Sequence, residues 1–459
     1  MVYNTGMGID YNNDLIAAIS TAPGESAIAA VRISGGGADL VLGKLFSRKP
    51  PYRSRYFYHG QIIRDGLIID DVMAVYLKGP HTYTGQDTAE IYCHGGHMAS
   101  RRVLEACLAA GCRLAEPGEF SKRAFLNGRL DLSEAEAVSD LICATTEAAA
   151  QTAVNQVAGR LKAAISGIRE RLLDFLASIE ATVDYPEDDL DGQVSGDILR
   201  SIGGILEETG RLLVNAEFGK VYREGIRASI IGRPNVGKSS LLNAFLGEDM
   251  AIVTDIPGTT RDALHADISI RGVSVLLTDT AGIRESTDAI EQLGIERSMR
   301  AIENAQIVLL ILDSSHTLDD EDIELYNSIK NKPHIVVKNK SDLPSKIEGQ
   351  LSALGIEAIP VSAKTGQGIE QLENAILDSM LSGTAAPRDA ILSNVRHIDA
   401  VRRAHEALLA AKGALEEGLS PDLAATDIRA AWHALGEVSG GTVDEDVVQR
   451  IFAKFCVGK

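Results

Sequence analysis

The sequence predicts an α/β multidomain protein with three parts. These are an α+β N-terminal domain, an all-α helical domain, and a doubly wound, mostly parallel α/β domain inserted into the helical one. Three observations carry this. Short apolar, strand-like runs broken by Gly and Pro fill the chain from Leu15 to Asn127. From Leu132 to about Gly219 the chain is rich in Ala, Leu and Glu, with apolar residues at three-four spacing. From about Gly225 to Ser382 apolar strands alternate with helical patterns, as in a parallel sheet with crossover helices. After Pro387 the chain returns to helix. The expected boundaries are therefore 1–128 for the first domain, 129–223 with 384–459 for a discontinuous helical domain, and 224–383 for the insertion.

In order along the chain, LIAAIST and SAIAAVRIS read as strands separated by Pro23-Gly24 and closed by Gly35-Gly36-Gly37. IIDDVMAVYL and AEIYCHGG read as further strands, and Arg101 to Ala110 as a helix. Ser133 with Glu136 three residues on predicts a capping box at the start of the helical domain. Pro186 and the acidic run EDDLD end that stretch, and a second helical block runs from Ile198 to Glu217. The inserted domain offers RASIIG, VSVLLTDT, IVLLILD, HIVVKNK and EAIPVSA as strands.

Lys+Arg total 45 and Asp+Glu total 64, a net charge of -19, which excludes a generally basic nucleic-acid coat. The negative charge lies on the helical and inserted parts, and the N-terminal domain is close to neutral. No apolar run approaches the ~20 residues of a membrane helix. Met1 to Asp14 lacks a basic region followed by an apolar core, so no secretory signal and a cytoplasmic protein are expected. The five cysteines are sparse and form no CxxC pair, which argues for reduced thiols. His94 and His97 in CHGGHM are spaced by glycines alone and read poorly as a metal site.

GRPNVGKSS (Gly232 to Ser240) fits G-x-x-x-x-G-K-[ST], after an apolar strand and before a helical pattern. Its backbone N–H groups, from Asn235 through Val236, Gly237, Lys238, Ser239 and Ser240, can wrap phosphates. Lys238 should reach the β- and γ-phosphates and Ser239 should ligate Mg²⁺. DTAG (Asp279, Thr280, Ala281, Gly282) ends another strand and can sense Mg²⁺ and the γ-phosphate. NKSD holds Asn339, Lys340 and Asp342. A carboxylate there accepts both N–H groups of guanine's edge, and adenine has no such donor pair. Ser362, Ala363 and Lys364 can offer a backbone N–H to the base oxygen. These elements, each at a strand's carboxyl end, predict a GTP-binding domain.

Between the phosphate loop and DTAG, Val253 to Asp262 reads as a switch segment, with Thr260 as a second hydroxyl on Mg²⁺. Arg261 and Asp262 fit either a switch role or a solvated pair. Ile283 stands where a water-orienting Gln is common. Arg284, Glu285 and Glu291 follow, and a carboxylate on that segment could hold the attacking water. Lys238, Arg284 and Glu291 are the catalytic candidates. Transition-state charge needs a further cation, from an arginine or a monovalent ion, and Asn235 offers a neutral oxygen to such an ion.

The strings AVRISG, YTGQDTAEIYCHGG, PGEFSKRAFLNGRLDLSEAEAVSDLI, IVTDIPGTTRD, DTAGIR and the terminal FCVGK resemble the MnmE (TrmE) family of tRNA-modifying GTPases. The likeness runs from about Leu15 to the last residue and leaves the first dozen residues unexplained. It implies a Ras-like GTPase domain and an N-terminal domain similar to tetrahydrofolate-binding one-carbon enzymes. It also implies a homodimer with a 5-formyl-tetrahydrofolate-like donor at its interface, on Arg32, Glu90, Arg129 and Lys459. Some members carry Lys at the Arg129 position, which keeps the charge but not the fork. The resemblance places K⁺ on Asn235, the carbonyls of Thr254 and Ile256, and Thr259, around which GTPase domains pair. Asp255, Pro257 and Gly258 complete that nucleotide segment. Mg²⁺ falls on Ser239 and Thr260, and the water-orienting role on Glu291. The implied partners are tRNA and the FAD-dependent MnmG (GidA), with no membrane. The implied reaction adds an aminomethyl or carboxymethylaminomethyl group to C5 of a wobble uridine.

Cys456 reads either as a thiol delivered to the folate pocket or as a small residue docking the tail. A ribosome-assembly GTPase shares the nucleotide motifs, but it usually adds a basic RNA-binding domain or a second GTPase domain. Here one phosphate loop is present and the C-terminal part is not basic. A folate-binding regulator whose GTPase only switches partners is the third reading.

Overall fold

The computed structural model describes residues 14–184, 191–246, 264–279, 302–381 and 392–459. They form two compact units, one of Met1–Ser139, Gln156–Ile202 and Glu406–Lys459, the other of Asp140–Asn155 and Gly203–His405.

The first unit holds a six-stranded sheet made of β1 (Ile16–Ile19), β2 (Ile28–Ser34), β3 (Phe57–Arg64), β4 (Leu67–Leu77), β5 (Thr88–His94) and β6 (Arg113–Leu114). The strand order is β3-β4-β5-β2-β1-β6, antiparallel throughout except for β1 with β6. Helices α1 (Ala38–Leu45) and α2 (His97–Ala109) supply Val41, Leu42, Val103 and Cys107 to a core with Val31, Ile33 and Ile91. Each such side chain contributes about 1.5–3 kcal/mol by leaving water. Strand alternation then sends Arg32, Glu90 and Tyr92 to the other face. Near α3 (Glu119–Leu126) an ion network is buried. Glu119 takes Arg113 at 2.6 Å and Arg123 at 2.9 Å, and Arg123 also reaches Asp14 at 2.6 Å. Pairing of this kind is what allows Arg123 to be 1% exposed.

The capping box of helix α4 (Leu132–Cys143) lies two residues ahead of the one expected at Ser133 and Glu136. The Asp131 carboxylate accepts from the Glu134 amide at 2.8 Å, and Glu134 accepts from the Asp131 amide at 2.7 Å. Ser133 gives its hydroxyl to Asp131 instead. A carboxylate is the stronger acceptor, so the box forms around it. After α5 (Glu147–Val157) comes α6 (Arg160–Asp184), then α7 (Asp191–Glu224), a longer second block than the sequence pattern marked.

The second unit contains β7 (Ile226–Ile231), β8 (Leu264–Ile270), β9 (Val273–Asp279), β10 (Ile307–Asp313), β11 (His334–Asn339) and β12 (Ala358–Pro360). Their order is β12-β11-β10-β7-β9-β8, all parallel except the β8–β9 hairpin. Helices α8 (Lys238–Leu246), α9 (Asp320–Ile329), α10 (Glu348–Leu354) and α11 (Ile369–Leu381) alternate with the strands. Cores lie on both faces, and Ile307 to Leu312 are buried without a break. This is the mostly parallel α/β fold that the sequence predicts. Arg271 and Gly272, both at positive φ, turn the edge hairpin.

The chain ends with α12 (Val395–Glu416), α13 (Pro421–Ser439) and α14 (Glu445–Phe452). In the first unit α13 packs along α6, with Arg169 4.2 Å over the Trp432 ring. Phe452 and Phe455 pack with Leu132 and Phe125. Among the described residues, no helix is long and apolar enough to cross a membrane.

Candidate functional site

The loop between β7 and α8 lies at the carboxyl end of the central strand. Gly232 has φ +147° and an added Cβ would lie 2.4 Å from the Ile311 carbonyl oxygen. Gly237 has φ +99° and its Cβ would meet the Asn339 Nδ2 at 2.2 Å. Neither position tolerates a side chain, and the loop is wound tightly as a result. Lys238 is buried, and its Nζ donates to the carbonyls of Gly232 at 2.6 Å and Arg233 at 2.7 Å. Ser239 and Ser240 are exposed on the first turn of α8, and Val236 anchors the loop in the core. Amides, a lysine and a helix start converge here as phosphate binding requires.

The loop after β11 is tied to this one. Asn339, 2% exposed, donates from Nδ2 to the Val236 carbonyl at 2.8 Å and accepts from the Ala363 amide at 3.1 Å. Lys340 donates to the Asn235 carbonyl at 3.0 Å and to Asp313 at 2.6 Å. Burial alone would raise the Asp313 carboxyl, but Lys340 and Ser315 outweigh it and hold it at about 2. Ser362 is fully buried and gives its hydroxyl to Asp342 at 2.7 Å. One oxygen of the exposed Asp342 is thus fixed, which orients the carboxylate. Lys364 is exposed next to Ala363. The structure therefore brings together Asn235 to Ser240, Asn339, Lys340, Asp342 and Ser362 to Lys364.

Asp279 ends β9, opposite Ile230 of β7. Thr254, Asp255, Ile256, Pro257, Gly258, Thr259, Thr260, Thr280, Ala281, Gly282, Arg284 and Glu291 lie outside the described residues.

A second cluster sits in the first unit. Arg32 and Glu90 are register partners on β2 and β5, and their side chains pair at 2.8 Å. Tyr92 donates to the other Glu90 oxygen at 2.6 Å; burial and that bond push its hydroxyl up to about 12. Arg32 stacks 5.5 Å from the Tyr83 ring and 5.7 Å from the Phe120 ring. Arg129 is exposed and donates to the Thr82 carbonyl at 3.0 Å, next to Tyr83. Burial, then Arg32, lowers the Lys459 ammonium, which also faces Glu90. The tail is seated by Gly458, whose Cβ would lie 2.3 Å from the Ile19 carbonyl oxygen. Arg32, Glu90 and Lys459 thus lie together, and Arg129 bonds the chain next to Tyr83.

Cys456 is exposed and lines a cavity of about 660 Å³ with Ile19, Thr21, His97, Arg101 and Val457. Arg32, Glu90 and Arg129 do not line that cavity. Asp70 lies beside His94 at 2.7 Å, and its hydrogen bond raises the imidazole pKa. Among the described residues no group of three His, Cys, Asp or Glu side chains is placed to hold a metal.

Asp313, Tyr83, Tyr92 and the partners of Arg233 are not among the site residues expected from the sequence. Asp313 ends a buried apolar strand, a signal that was available. Tyr83 and the partners of Arg233 depend on contacts far apart in sequence, whereas Tyr92 bonds Glu90 two residues away on the same face of β5.

A glycine-wrapped phosphate loop locked to an Asn-Lys-x-Asp loop defines a P-loop nucleotide-binding domain. A family model described as the MnmE helical domain matches residues 132–456, and one described as GTP-binding protein TrmE N-terminus matches residues 15–129. The tRNA modification GTPase MnmE of Finegoldia magna is 44% identical over 451 residues, covering 97% of this chain and 100% of that protein. That of Alkaliphilus oremlandii is 43% identical over 460 residues, covering 98% and 100%. Aquifex aeolicus Era bound to GDP.AlF4- is 29% identical, covering 40% of this chain and 67% of that one, with a TM-score of 0.29. The chain belongs to the MnmE family of tRNA modification GTPases, and is a GTPase acting in tRNA modification.

Proposed function

We propose that GTP is bound and hydrolysed between the Gly232–Ser240 loop and the Asn339–Asp342 loop. One observation carries this reading: Asn339 and Lys340 bind the backbone of the phosphate loop directly, so base and phosphate sites form one rigid cradle. Lys238 contacts the β- and γ-phosphates, Asp342 the guanine edge, and the Ala363 region the base oxygen. Mg²⁺, which neutralises phosphate charge when bound, falls to Ser239 and Thr260. Ser239 fits that task, because it is exposed at the helix start beside Lys238. K⁺ falls to Asn235, Thr254, Ile256 and Thr259, and Asn235 likewise stands exposed. Glu291 orients the attacking water, with Arg284 on the same segment.

The Arg32–Glu90 cluster takes a folate such as 5-formyl-tetrahydrofolate, together with Arg129 and Lys459. Adjacent N–H donors of a pterin suit Glu90, and an anionic tail suits the cations. Arg32 and Glu90 already satisfy each other, so the ligand must compete for that pair. On the same sheet face Ile28 (59%), Phe57 (50%) and Met73 (39%) are exposed, which supports burial against a second copy. The domains are 1–128, 129–223 with 384–459, and 224–383; the meeting of the two family matches between residues 129 and 132 supports the first boundary.

In this reading the chain acts in the cytoplasm as a homodimer with the flavoprotein MnmG (GidA). Together they add an aminomethyl or carboxymethylaminomethyl group to the wobble uridine of certain tRNAs. GTP hydrolysis, paced by K⁺-dependent pairing of GTPase domains, drives the conformational cycle. The test is GTP hydrolysis in KCl against NaCl at equal ionic strength, beside wobble-uridine analysis of tRNA from a deletion strain. Equal rates in both salts refute the K⁺ role, and unaltered tRNA refutes the modification role.

A further inference from the structure

Arg233 is the one residue of the phosphate loop whose side chain is held by several carboxylates. Its guanidinium pairs with Asp319, with Glu321 at 3.3 Å and with Asp322 at 3.4 Å. These acids stand at the N-terminus of α9, where Asp319 and Asp322 also form a capping box. Asp322 is 7% exposed, while Asp319 and Glu321 are open to water. Meanwhile the backbone carbonyl of Arg233, with that of Gly232, holds the Lys238 ammonium. One residue therefore faces both ways, its side chain to α9 and its main chain to the phosphate-binding lysine.

We propose that Arg233 is a positioning residue for the nucleotide. It pins the loop so that the Gly232 and Arg233 carbonyls present Lys238, and it neutralises carboxylates that would otherwise repel the incoming phosphates. The three acids carry three negative charges against one guanidinium. Removal of Arg233 leaves all three charges uncompensated beside the phosphate loop. A polyphosphate entering that field is disfavoured before any contact is made. Once it is bound, Lys238 and the loop amides act as before, so the effect falls on affinity rather than turnover. Asp322 serves the cap as well, which makes Glu321 the acid to test: it is exposed and takes no part in the capping box.

The inference rests on the nucleotide-site reading above, and the experiment separates the two. Full-length variants are titrated with a fluorescent GTP analogue and assayed for turnover at saturating GTP. Lys238→Ala tests the site: unchanged affinity overturns the site reading itself. With Lys238→Ala impaired, Arg233→Ala should weaken binding about tenfold with kcat within about twofold. Arg233→Lys should recover part of the affinity, because it keeps the charge and loses the fork. Glu321→Gln in the Arg233→Ala background should regain several-fold, while Glu321→Gln alone changes little. An Arg233→Ala affinity equal to wild type overturns the proposal. So does a fall in kcat at unchanged affinity, or the absence of rescue by either second variant.

Discussion

Ser362→Ala removes one hydroxyl from a fully buried position and leaves the main chain in place. The Ser362 amide keeps its 2.9 Å bond to the Gln367 carbonyl, so the loop has no reason to refold. Two contacts are lost: the 2.7 Å bond to the Asp342 carboxylate and the 3.3 Å bond from the Thr365 amide. In place of the second, the Thr365 amide keeps its 3.2 Å bond to the Ser362 carbonyl. A hydrogen bond to a charged group is worth about 1.5–3 kcal/mol. Asp342 is exposed, so the lower end applies, and about 1.4 kcal/mol is a factor of ten in affinity. We expect GTP and GDP to bind about tenfold more weakly, by the same factor, because the base is common to both. ATP binding and the rate at saturating GTP should not move. Competition titrations with the three nucleotides and a thermal melt measure all of this. An equal affinity for GTP in the variant and the wild type would refute the view that Ser362 orients Asp342. A loss confined to GTP would place Ser362 at the phosphates instead.

Asp342→Asn should shift preference from guanosine toward xanthosine nucleotides, since the acceptor for the donor pair is gone; retained guanine preference counts against it. Asp313→Asn should loosen Lys340 from Asn235 and lower stability by about 1–2 kcal/mol near neutral pH. The native carboxyl sits at about 2 against an ordinary 3.8, so its contribution is full above that ordinary value and is lost as pH falls toward 2. Urea midpoints of the two proteins should therefore differ by a constant amount down to about pH 4.5 and converge below it. A gap that stays constant in acid sinks the assignment. Glu291→Ala should slow hydrolysis with GTP affinity nearly intact, and an equal fall in affinity would make it structural. Deletion of Cys456 to Lys459 should weaken folate binding without altering GTP binding, as read by parallel calorimetric titrations.

The buried strands were the easiest to read. Ile307 to Asp313 is a continuous apolar run because helices cover both faces of its sheet. β8 went unmarked for the opposite reason. Leu264 to Ile270 interleaves His265, Asp267 and Ser269 with apolar residues, the mark of an edge strand that no helix pattern flags. β3, with Tyr58, His59 and Gly60 in succession, was hidden in the same way. The nucleotide loops were legible because their spacing is short and their residue types are forced by geometry. Gly237, for instance, has no room for even a methyl group. The Ser133 box failed because the residues give the three-apart spacing twice, and only the competition between Asp131 and Ser133 decides. The Arg233 partners could not be read at all. Nothing in GRPNVGKSS points to Asp319 or Asp322, which the sheet brings in from beyond another strand.

The seat of the tail has a practical side. Lys459 faces Arg32 and Glu90, and Gly458 lies so close to Ile19 that nothing larger fits. The cluster on β2 and β5 is therefore completed by a segment from the far end of the sequence, seated against Ile19. A peptide fused behind Lys459 would have to leave from inside this seat. Affinity handles or fluorescent reporters placed there would disturb the very cluster under study.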